Sequence, residues 1–279
     1  GGALCGRTRR RAHGARKNRI WESDGGTLMG KISVVGIGPG SLDDMTYRAR
    51  RTIEEATTVV GYKRYIELIA ELVEGKQVLD TGMTQEIDRC RAALKAASDG
   101  ETVVVISSGD AGIYGMAGLV LELLVKMEET ERPEFGGVIP GVSAMSAAAG
   151  LLGAPIMHDF VVISLSDLLT PWEVIQDRAE LAAKGDFVTA LYNPRSNKRV
   201  GQIKAVQEIF LHHRMPETPV GIVTGASRAD ETTLISTLGT FTKEDINMFS
   251  LVIIGNSKTR RVGEWMITPR GYQKREPGL

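Results

Sequence analysis

The stretch KISVVGIGPG, residues 31–40, joins an apolar strand to a glycine-rich turn. Apart from Ser33, the run from Ile32 to Val35 is apolar and β-branched, which is typical of a buried strand. The turn lacks the G-x-G-x-x-G spacing of dinucleotide-binding folds, and Pro39 removes a backbone N–H where a phosphate would need a donor. The stretch therefore predicts either a close backbone approach to an uncharged or cationic ligand, or simply a tight strand-to-helix turn.

The same succession of strand, turn and amphipathic helix recurs along the chain, which indicates an α/β fold. Apolar positions spaced by threes and fours predict helices around Cys90 and around Leu123. Strands are predicted in two series, at 32–35, 57–60, 102–106 and 137–139, and then at 160–165, 187–192, 220–224, 234–238 and 250–254. Because little helix separates the strands after Thr224, the second sheet is expected to be mixed.

Two α/β domains follow from the two series, at residues 30–142 and 143–271, with a short tail at 272–279. Small ligands commonly bind between domains, so the cleft is the expected site. Residues 1–28 are rich in arginine and poor in apolar side chains, which predicts a disordered basic extension. With a natural start at Met29 this extension would be an artefact or a vestige, and the alternatives are a nucleic-acid arm or a transit peptide.

The composition argues against several classes of protein. The 34 Lys and Arg residues balance 34 Asp and Glu residues, so no overall field attracts nucleic acid or anionic lipid. Cys5 and Cys90 form no C-x-x-C motif, which supports neither a disulfide framework nor a thiolate metal site. The apolar runs are too short for a membrane helix. We therefore expect a cytoplasmic protein with no protein-bound metal, no nucleic-acid partner and no membrane partner.

Two more segments rich in glycine and small residues follow predicted strands. SSGDAGIYG, residues 107–115, places Asp110 near a predicted helix start, where it would serve either as a helix cap or as a carboxylate facing a cationic amine. PGVSAMS, residues 140–146, opens a helix of small residues. That helix indicates either close packing or a ligand pressed against the helix start.

In this order and at these distances, the three segments resemble the tetrapyrrole methylase family over residues 30–271. Within the family, three strings are similar to the precorrin-3B or cobalt-factor III carbon-17 methyltransferases: SLSDLLTPW (164–172), LYNPRS (191–196) and MITPRGY (266–272). Two others, SSGDAGIYGMAG (107–118) and MHDF (157–160), look more like the anaerobic, cobalt-first branch. The resemblance implies the two-domain class III methyltransferase fold, with mixed sheets and helices, and a homodimer.

The resemblance also implies S-adenosylmethionine as the cofactor, bound in the interdomain cleft. The cofactor-binding residues that it implies are Pro39, Gly109, Asp110, Ile113, Ser143, Ala144, Asn193, Gly225 and Ala226. The implied reaction is methylation of carbon 17 of a cobalt-containing tetrapyrrole with contraction of the macrocycle, cobalt being part of the substrate. The alternatives are a metal-free precorrin of the oxygen-dependent pathway, or a protein or RNA substrate for the same fold.

Methyl transfer from a sulfonium to an electron-rich carbon depends mainly on positioning, so the missing catalytic triad is no objection. Ring contraction moves protons, and for these steps we nominate Asp43, Tyr114 and His158 as catalytic residues. A buried, structural His158 is the alternative. The many carboxylates of a tetrapyrrole call for cations, and the substrate-binding candidates are Arg195, Lys198 and Arg199, each of which is otherwise a solvated surface charge.

Overall fold

The computed structural model describes residues 29–82 and 85–272. It confirms the α/β class, with two five-stranded sheets and a small three-stranded sheet. The predicted basic extension at 1–28 and the tail beyond residue 272 lie outside the described residues. Within the described ranges, no helix combines the length and the apolar character needed to cross a membrane.

The first sheet is parallel throughout, with the strand order β3-β2-β4-β1-β5. Its strands are β1 (Lys31–Gly36), β2 (Thr58–Tyr62), β3 (Gln77–Thr81), β4 (Thr102–Ser107) and β5 (Glu134–Ile139). Strand β5 begins earlier than the sequence predicted, because Glu134 and Phe135 pair with β1 ahead of a register shift. All five carboxyl ends lie at one edge of the sheet, which is where ligands bind in such folds.

Helices cover both faces of this sheet. On one face lie α1 (Tyr47–Glu55), α2 (Lys63–Glu67) and α3 (Ala70–Val73), and on the other lie α4 (Glu86–Ser98) and α5 (Ala117–Leu124). The Thr46 hydroxyl caps α1 by accepting a hydrogen bond from Ala49 N at 3.1 Å. Cys90 and Val120 are fully buried on α4 and α5, the two helices that the spacing predicted.

The second sheet is mixed, as the close succession of its strands predicted, with the order β10-β9-β11-β8-β7. The remaining strands are β6 (Gly153–Ala154), β7 (Phe160–Ser164), β8 (Val188–Tyr192), β9 (Pro219–Thr224), β10 (Thr232–Thr237), β11 (Ser250–Ile254), β12 (Arg260–Val262) and β13 (Trp265–Ile267). Strands β12, β13 and β6 form the small sheet. Of the pairs in the large sheet only β7–β8 is parallel, and its carboxyl ends deliver Ser164 and Tyr192 to one edge.

The remaining helices are α6 (Ala144–Leu152), α7 (Trp172–Lys184) and α8 (Gln202–Leu211). Helix α6 follows the first sheet in the chain but packs Met145 and Leu152 on the second sheet. Its small residues allow this close approach, and Leu152 fills the space that a side chain at Gly221 of β9 would need. The N-terminus of α6 is therefore fixed between the two large sheets.

A buried arginine, Arg214, lies at the opposite edge of the second sheet. The Arg214 guanidinium donates to the carbonyl oxygens of Gly255, Ala182 and Phe187, and it stacks over the Phe210 ring. Burial lowers the pKa of Arg214 to about 10, because desolvation disfavours the charged form. These bonds join the ends of several elements on the side remote from the carboxyl ends of β7 and β8.

Candidate active site

The turns that follow β1, β4 and β5 meet at the carboxyl edge of the first sheet. Gly38 and Gly109 exchange two backbone hydrogen bonds, with N···O distances of 3.1 and 2.7 Å. A Cβ on Gly36 or on Gly141 would overlap the carbonyl oxygen of Gly109. Glycine is therefore required where the three backbones touch, and the turns leave room for a ligand to lie against main chain.

Asp110 ties two of these turns together. Its Oδ1 accepts a hydrogen bond from Gly112 N at 2.8 Å, and its Oδ2 accepts one from Gly141 N at 3.0 Å. Helix α5 begins only at Ala117, so the alternative that Asp110 caps this helix is wrong. The carboxylate instead places a negative charge where the turns converge, and its remaining lone pairs can accept a bond from a cationic amine.

The expected residues of the third turn lie beside Gly109. Ser143 Oγ accepts a hydrogen bond from Ser146 N at 3.1 Å and so caps α6. Ala144 begins that helix, and its backbone nitrogen would lie 3.4 Å from a Cβ placed on Gly109. The structure thus brings Gly109, Asp110, Ser143 and Ala144 into one group, with Ile113 partly exposed in the same turn as Asp110.

Two tyrosines connect the first half of the chain to the second. The rings of Tyr114 and Tyr192 lie 5.3 Å apart. Tyr114 Oη donates to the Val162 carbonyl at 3.2 Å, and Tyr192 Oη accepts from Met145 N, at the start of α6, at 3.0 Å. Burial raises the pKa of both phenols above the usual value. The pKa of a free phenol is already about 10, so both hydroxyls carry their protons at neutral pH, and Tyr114 would enter a reaction in its protonated form.

Backbone strain is concentrated in the loops where the two halves of the chain meet. Within the described ranges, four non-glycine residues have positive φ, and three of them are Tyr114, Asn193 and Ser227, with φ of 51°, 50° and 60°. Asn193 also donates from Nδ2 to Ser164 Oγ at 3.0 Å. Residues outside the common backbone regions persist where the surrounding structure holds them, which is frequent at functional sites.

A loop of the second half crosses to the glycine turn after β1. We call Ser227 and Arg228 the latch. Ser227 Oγ donates to Asp44 Oδ2, and Arg228 donates from Nε to the Pro39 carbonyl at 3.1 Å and from Nη2 to Ser108 Oγ at 3.3 Å. The latch follows the Gly225–Ala226 turn after β9, so one loop sets the position of Pro39 relative to both large sheets.

The three catalytic candidates differ in their surroundings. Asp43 is exposed in a one-turn 3-10 helix at Leu42–Asp44, where the neighbouring Asp44 makes the contact with the latch. His158 keeps 48% of its side chain exposed and accepts a hydrogen bond from Asp159 N at 2.8 Å, so the buried alternative for His158 is wrong. Of the three, Tyr114 has defined contacts to both halves of the chain.

The three substrate-binding candidates are also unlike one another. The Arg199 side chain is only 11% exposed, and its guanidinium donates to Ser166 Oγ at 3.3 Å and to the Asn193 carbonyl at 3.2 Å. It therefore holds two loops of the chain together rather than facing solvent. Arg195 is half-buried and Lys198 is exposed, so these two side chains remain available to a ligand.

A separate cavity of about 150 Å³ lies on the α1 face of the first sheet, lined by Lys31, Arg48, Arg51 and Thr102 among others. It is smaller than the roughly 300–1,000 Å³ of most ligand pockets. Lys31 and Thr102 begin their strands, at the edge remote from the converging turns. We therefore place the candidate site at the converging turns and not in this cavity.

The latch yields a first prediction. Arg228→Ala should weaken S-adenosylmethionine binding by about tenfold, because the Pro39 turn and the Ser108 turn each lose a hydrogen bond to the second half. Isothermal calorimetry measures the affinity, and Arg260→Ala, at an exposed position in β12, is the matched control. Unchanged affinity in Arg228→Ala would show that the turn holds its shape without the latch.

Comparison with known proteins gives one family match and three similar proteins. A family model described as tetrapyrrole (corrin/porphyrin) methylases matches residues 31–242. A cobalt-factor III methyltransferase of Priestia megaterium is 50% identical over 251 residues, which cover 89% of this chain and 46% of that protein. A probable cobalt-factor III C(17)-methyltransferase of Salmonella typhimurium is 50% identical over 241 residues, covering 86% of this chain and 99% of that protein. The crystal structure of the methyltransferase CobJ superposes with a TM-score of 0.81 at 39% identity, covering 86% of this chain and 100% of the other.

Proposed function

The chain belongs to the tetrapyrrole (corrin/porphyrin) methylase family, and we propose that it transfers a methyl group from S-adenosylmethionine to carbon 17 of cobalt-factor III in cobalamin biosynthesis. The observation that carries this proposal is the 50% identity to a relative with the C(17) name along 99% of that relative's length. The chain spans about half the length of the Priestia megaterium relative. The full activity of that longer protein is therefore not assigned to this chain. Cobalt belongs to the substrate.

The converging turns fit the proposed cofactor. S-adenosylmethionine carries a sulfonium and an ammonium group. Asp110 offers a carboxylate to these cations, and it lies between turns that pack so closely that only glycine fits at Gly36 and Gly141. Gly109, Asp110 and Ile113 would hold the methionine end, and Ser143 and Ala144 would lie near the sulfonium. Pro39 lines the pocket, while Asn193, Gly225 and Ala226 would face the adenosine part. When bound, the cofactor supplies an electrophilic methyl group.

Positioning is the main work proposed for the protein. Two sheets joined by the latch and by the Tyr114–Tyr192 pair can hold two reactants in a fixed relation, which contributes about 7–11 kcal/mol in well-oriented systems. Tyr114 is proposed as the proton donor for ring contraction, because its phenol is protonated at neutral pH and is positioned by its contacts with Val162 and Tyr192. Asp43 and His158 are proposed to exchange protons with solvent, in keeping with their exposure.

A cobalt-containing substrate is favoured over a metal-free one. The name cobalt-factor III recurs among the relatives, at 50% identity in Priestia megaterium and Salmonella typhimurium and at 40% in Methanothermobacter thermautotrophicus, and this recurrence supports the proposal. Residues 30–142 and 143–271 are proposed to act as two domains, since α6 leaves the first sheet to pack on the second. The family resemblance supports the further proposal of a homodimer in the cytoplasm.

The direct test is incubation of the purified chain with methyl-labelled S-adenosylmethionine and either cobalt-factor III or its metal-free counterpart. We expect label in the cobalt-loaded tetrapyrrole, with the mass and absorption change of a methylated, ring-contracted product. Preferential labelling of the metal-free compound would move the assignment to the oxygen-dependent reaction. Label in neither tetrapyrrole would overturn the proposal.

The second prediction concerns the substrate cations. Arg195→Ala should raise the KM for the tetrapyrrole by roughly tenfold while leaving the affinity for S-adenosylmethionine unchanged, because an arginine–carboxylate bond is lost. Lys184→Ala, at the exposed C-terminus of α7, is the matched control. Equal weakening of both ligands would place Arg195 on the cofactor side of the cleft, and an unchanged KM would discard the contact.

A further inference from the structure

Two adjacent leucines in the loop between β7 and α7 are almost fully exposed to solvent. Leu168 is 76% exposed and Leu169 is 98% exposed. We call this pair the tip. The loop begins at the carboxyl end of β7, and β8 beside it ends in Tyr192, next to Asn193. Single exposed apolar residues are ordinary, but an adjacent pair at a ligand-binding edge requires an explanation.

The base of this loop is firmly held. Ser166 N donates to Ser164 Oγ at 3.2 Å, and Asp167 Oδ2 accepts from Gln202 at 3.0 Å. Asp167 also lies 4.0 Å from Arg199, which in turn donates to Ser166. The residues before the tip are thus fixed by several polar contacts, so the exposure of the two leucines comes from a defined loop shape.

Arg199 links the base of this loop to the segment that carries the candidate substrate cations. Its side chain is 11% exposed and links the loop base at Ser166 to the Asn193 carbonyl. The segment that starts at Asn193 carries Arg195 and Lys198. The loop that carries the tip and the segment that carries two cations are therefore joined at their bases by one guanidinium.

We propose that the tip is part of the substrate-binding surface and packs against the apolar face of a tetrapyrrole macrocycle, while Arg195 and Lys198 bind carboxylates at its rim. This inference rests on the proposed function and extends it to a specificity-determining surface. The complementarity is one of shape and charge, since the macrocycle is a flat apolar ring with an anionic rim.

A second copy of the chain is a poorer occupant. Most dimer interfaces are two-fold symmetric, so the same patch appears on both sides. The cations beside one tip would then lie near the same cations of the other copy, and like charges at an interface are unfavourable. A multiply anionic ligand has no such conflict, which is why the structure favours the substrate.

The test is the double variant Leu168→Ser with Leu169→Ser. Cobalt-factor III is titrated into the protein and followed by absorbance, and S-adenosylmethionine affinity is measured by calorimetry. We expect tetrapyrrole affinity to fall at least tenfold, with S-adenosylmethionine affinity and melting temperature unchanged, since exposed side chains contribute little to the fold. Leu181→Ser, at a 67% exposed position on α7, is the matched control.

Equal tetrapyrrole affinity in the double variant and the unmodified chain would overturn the inference while leaving the proposed function intact. A variant that changes the molecular mass in light scattering, with tetrapyrrole affinity retained, would assign the tip to a second copy and overturn it too. An unmodified chain that binds cobalt-factor III without methylating it would instead remove the proposed function, and the titration would still decide the role of the tip.

Discussion

Gly141→Ala is expected to abolish measurable S-adenosylmethionine binding and to lower the free energy of unfolding by about 3 kcal/mol. The new Cβ would overlap the carbonyl oxygen of Gly109 and the carbonyl group of Gly36. These are backbone atoms, so relief requires the turns to separate. Separation breaks the bond from Gly141 N to Asp110. Urea denaturation and calorimetry measure the two effects.

The matched control is Gly118→Ala. Gly118 lies in α5, is exposed, and has no atom within 4 Å of its Cβ position. Alanine there should raise stability by about 0.5–1 kcal/mol, because glycine loses more backbone entropy in a helix. Cofactor affinity should not change. A Gly141→Ala protein with normal stability and affinity would mean that the three turns are not packed as described.

Asp110→Ala should raise the Kd for S-adenosylmethionine by about a hundredfold and lower the free energy of unfolding by about 2 kcal/mol. The binding loss comes from removal of the carboxylate that joins the turns at Gly112 and Gly141. The stability loss arises because both backbone N–H groups lose their acceptor. Calorimetric titration with S-adenosylmethionine, and with its analogue S-adenosylhomocysteine, gives the two affinities. Urea denaturation gives the stability.

Asp110→Asn separates charge from geometry. The amide keeps one oxygen acceptor and nearly the same shape but carries no charge. We expect an intermediate stability and a Kd that is still raised by about tenfold. If asparagine binds the cofactor as well as aspartate does, the charge has no part in recognition, and Asp110 serves only to hold the turns.

Much of the fold could be predicted because its signals are local. The run from Ile32 to Val35 and the spacing around Cys90 specify a strand and a helix without reference to the rest of the chain. Helix α5 begins later than the pattern indicated, since the glycines at 112 and 115 favour an irregular turn before Ala117. That delay is why Asp110 connects loops instead of capping a helix.

The contacts between the two halves could not be predicted in the same way. Ser227 and Asp44 are 183 positions apart, and no periodicity or turn signal relates such distant residues. The sequence predicted Arg199 as a substrate-binding cation, with a solvated surface charge as the alternative. Its low exposure could not be predicted, because the burial of a side chain depends on the loop packed over it. The assignment of cofactor residues came from the family resemblance, and their roles stay predictions.

The position of β1 has a consequence for synthesis. Lys31 pairs with Thr102 and with Glu134, which are 102 − 31 = 71 and 134 − 31 = 103 positions later. At roughly 5–20 residues per second, the ribosome needs several seconds or more to supply both neighbours. Until β4 emerges the apolar run of β1 has no neighbouring strand, and until β5 emerges one edge of β1 stays unpaired, so the nascent chain is exposed to association with other chains. Within the first sheet, β1 is the strand that waits longest for its last neighbour, so its open edge is the part of this sheet most exposed to association during synthesis.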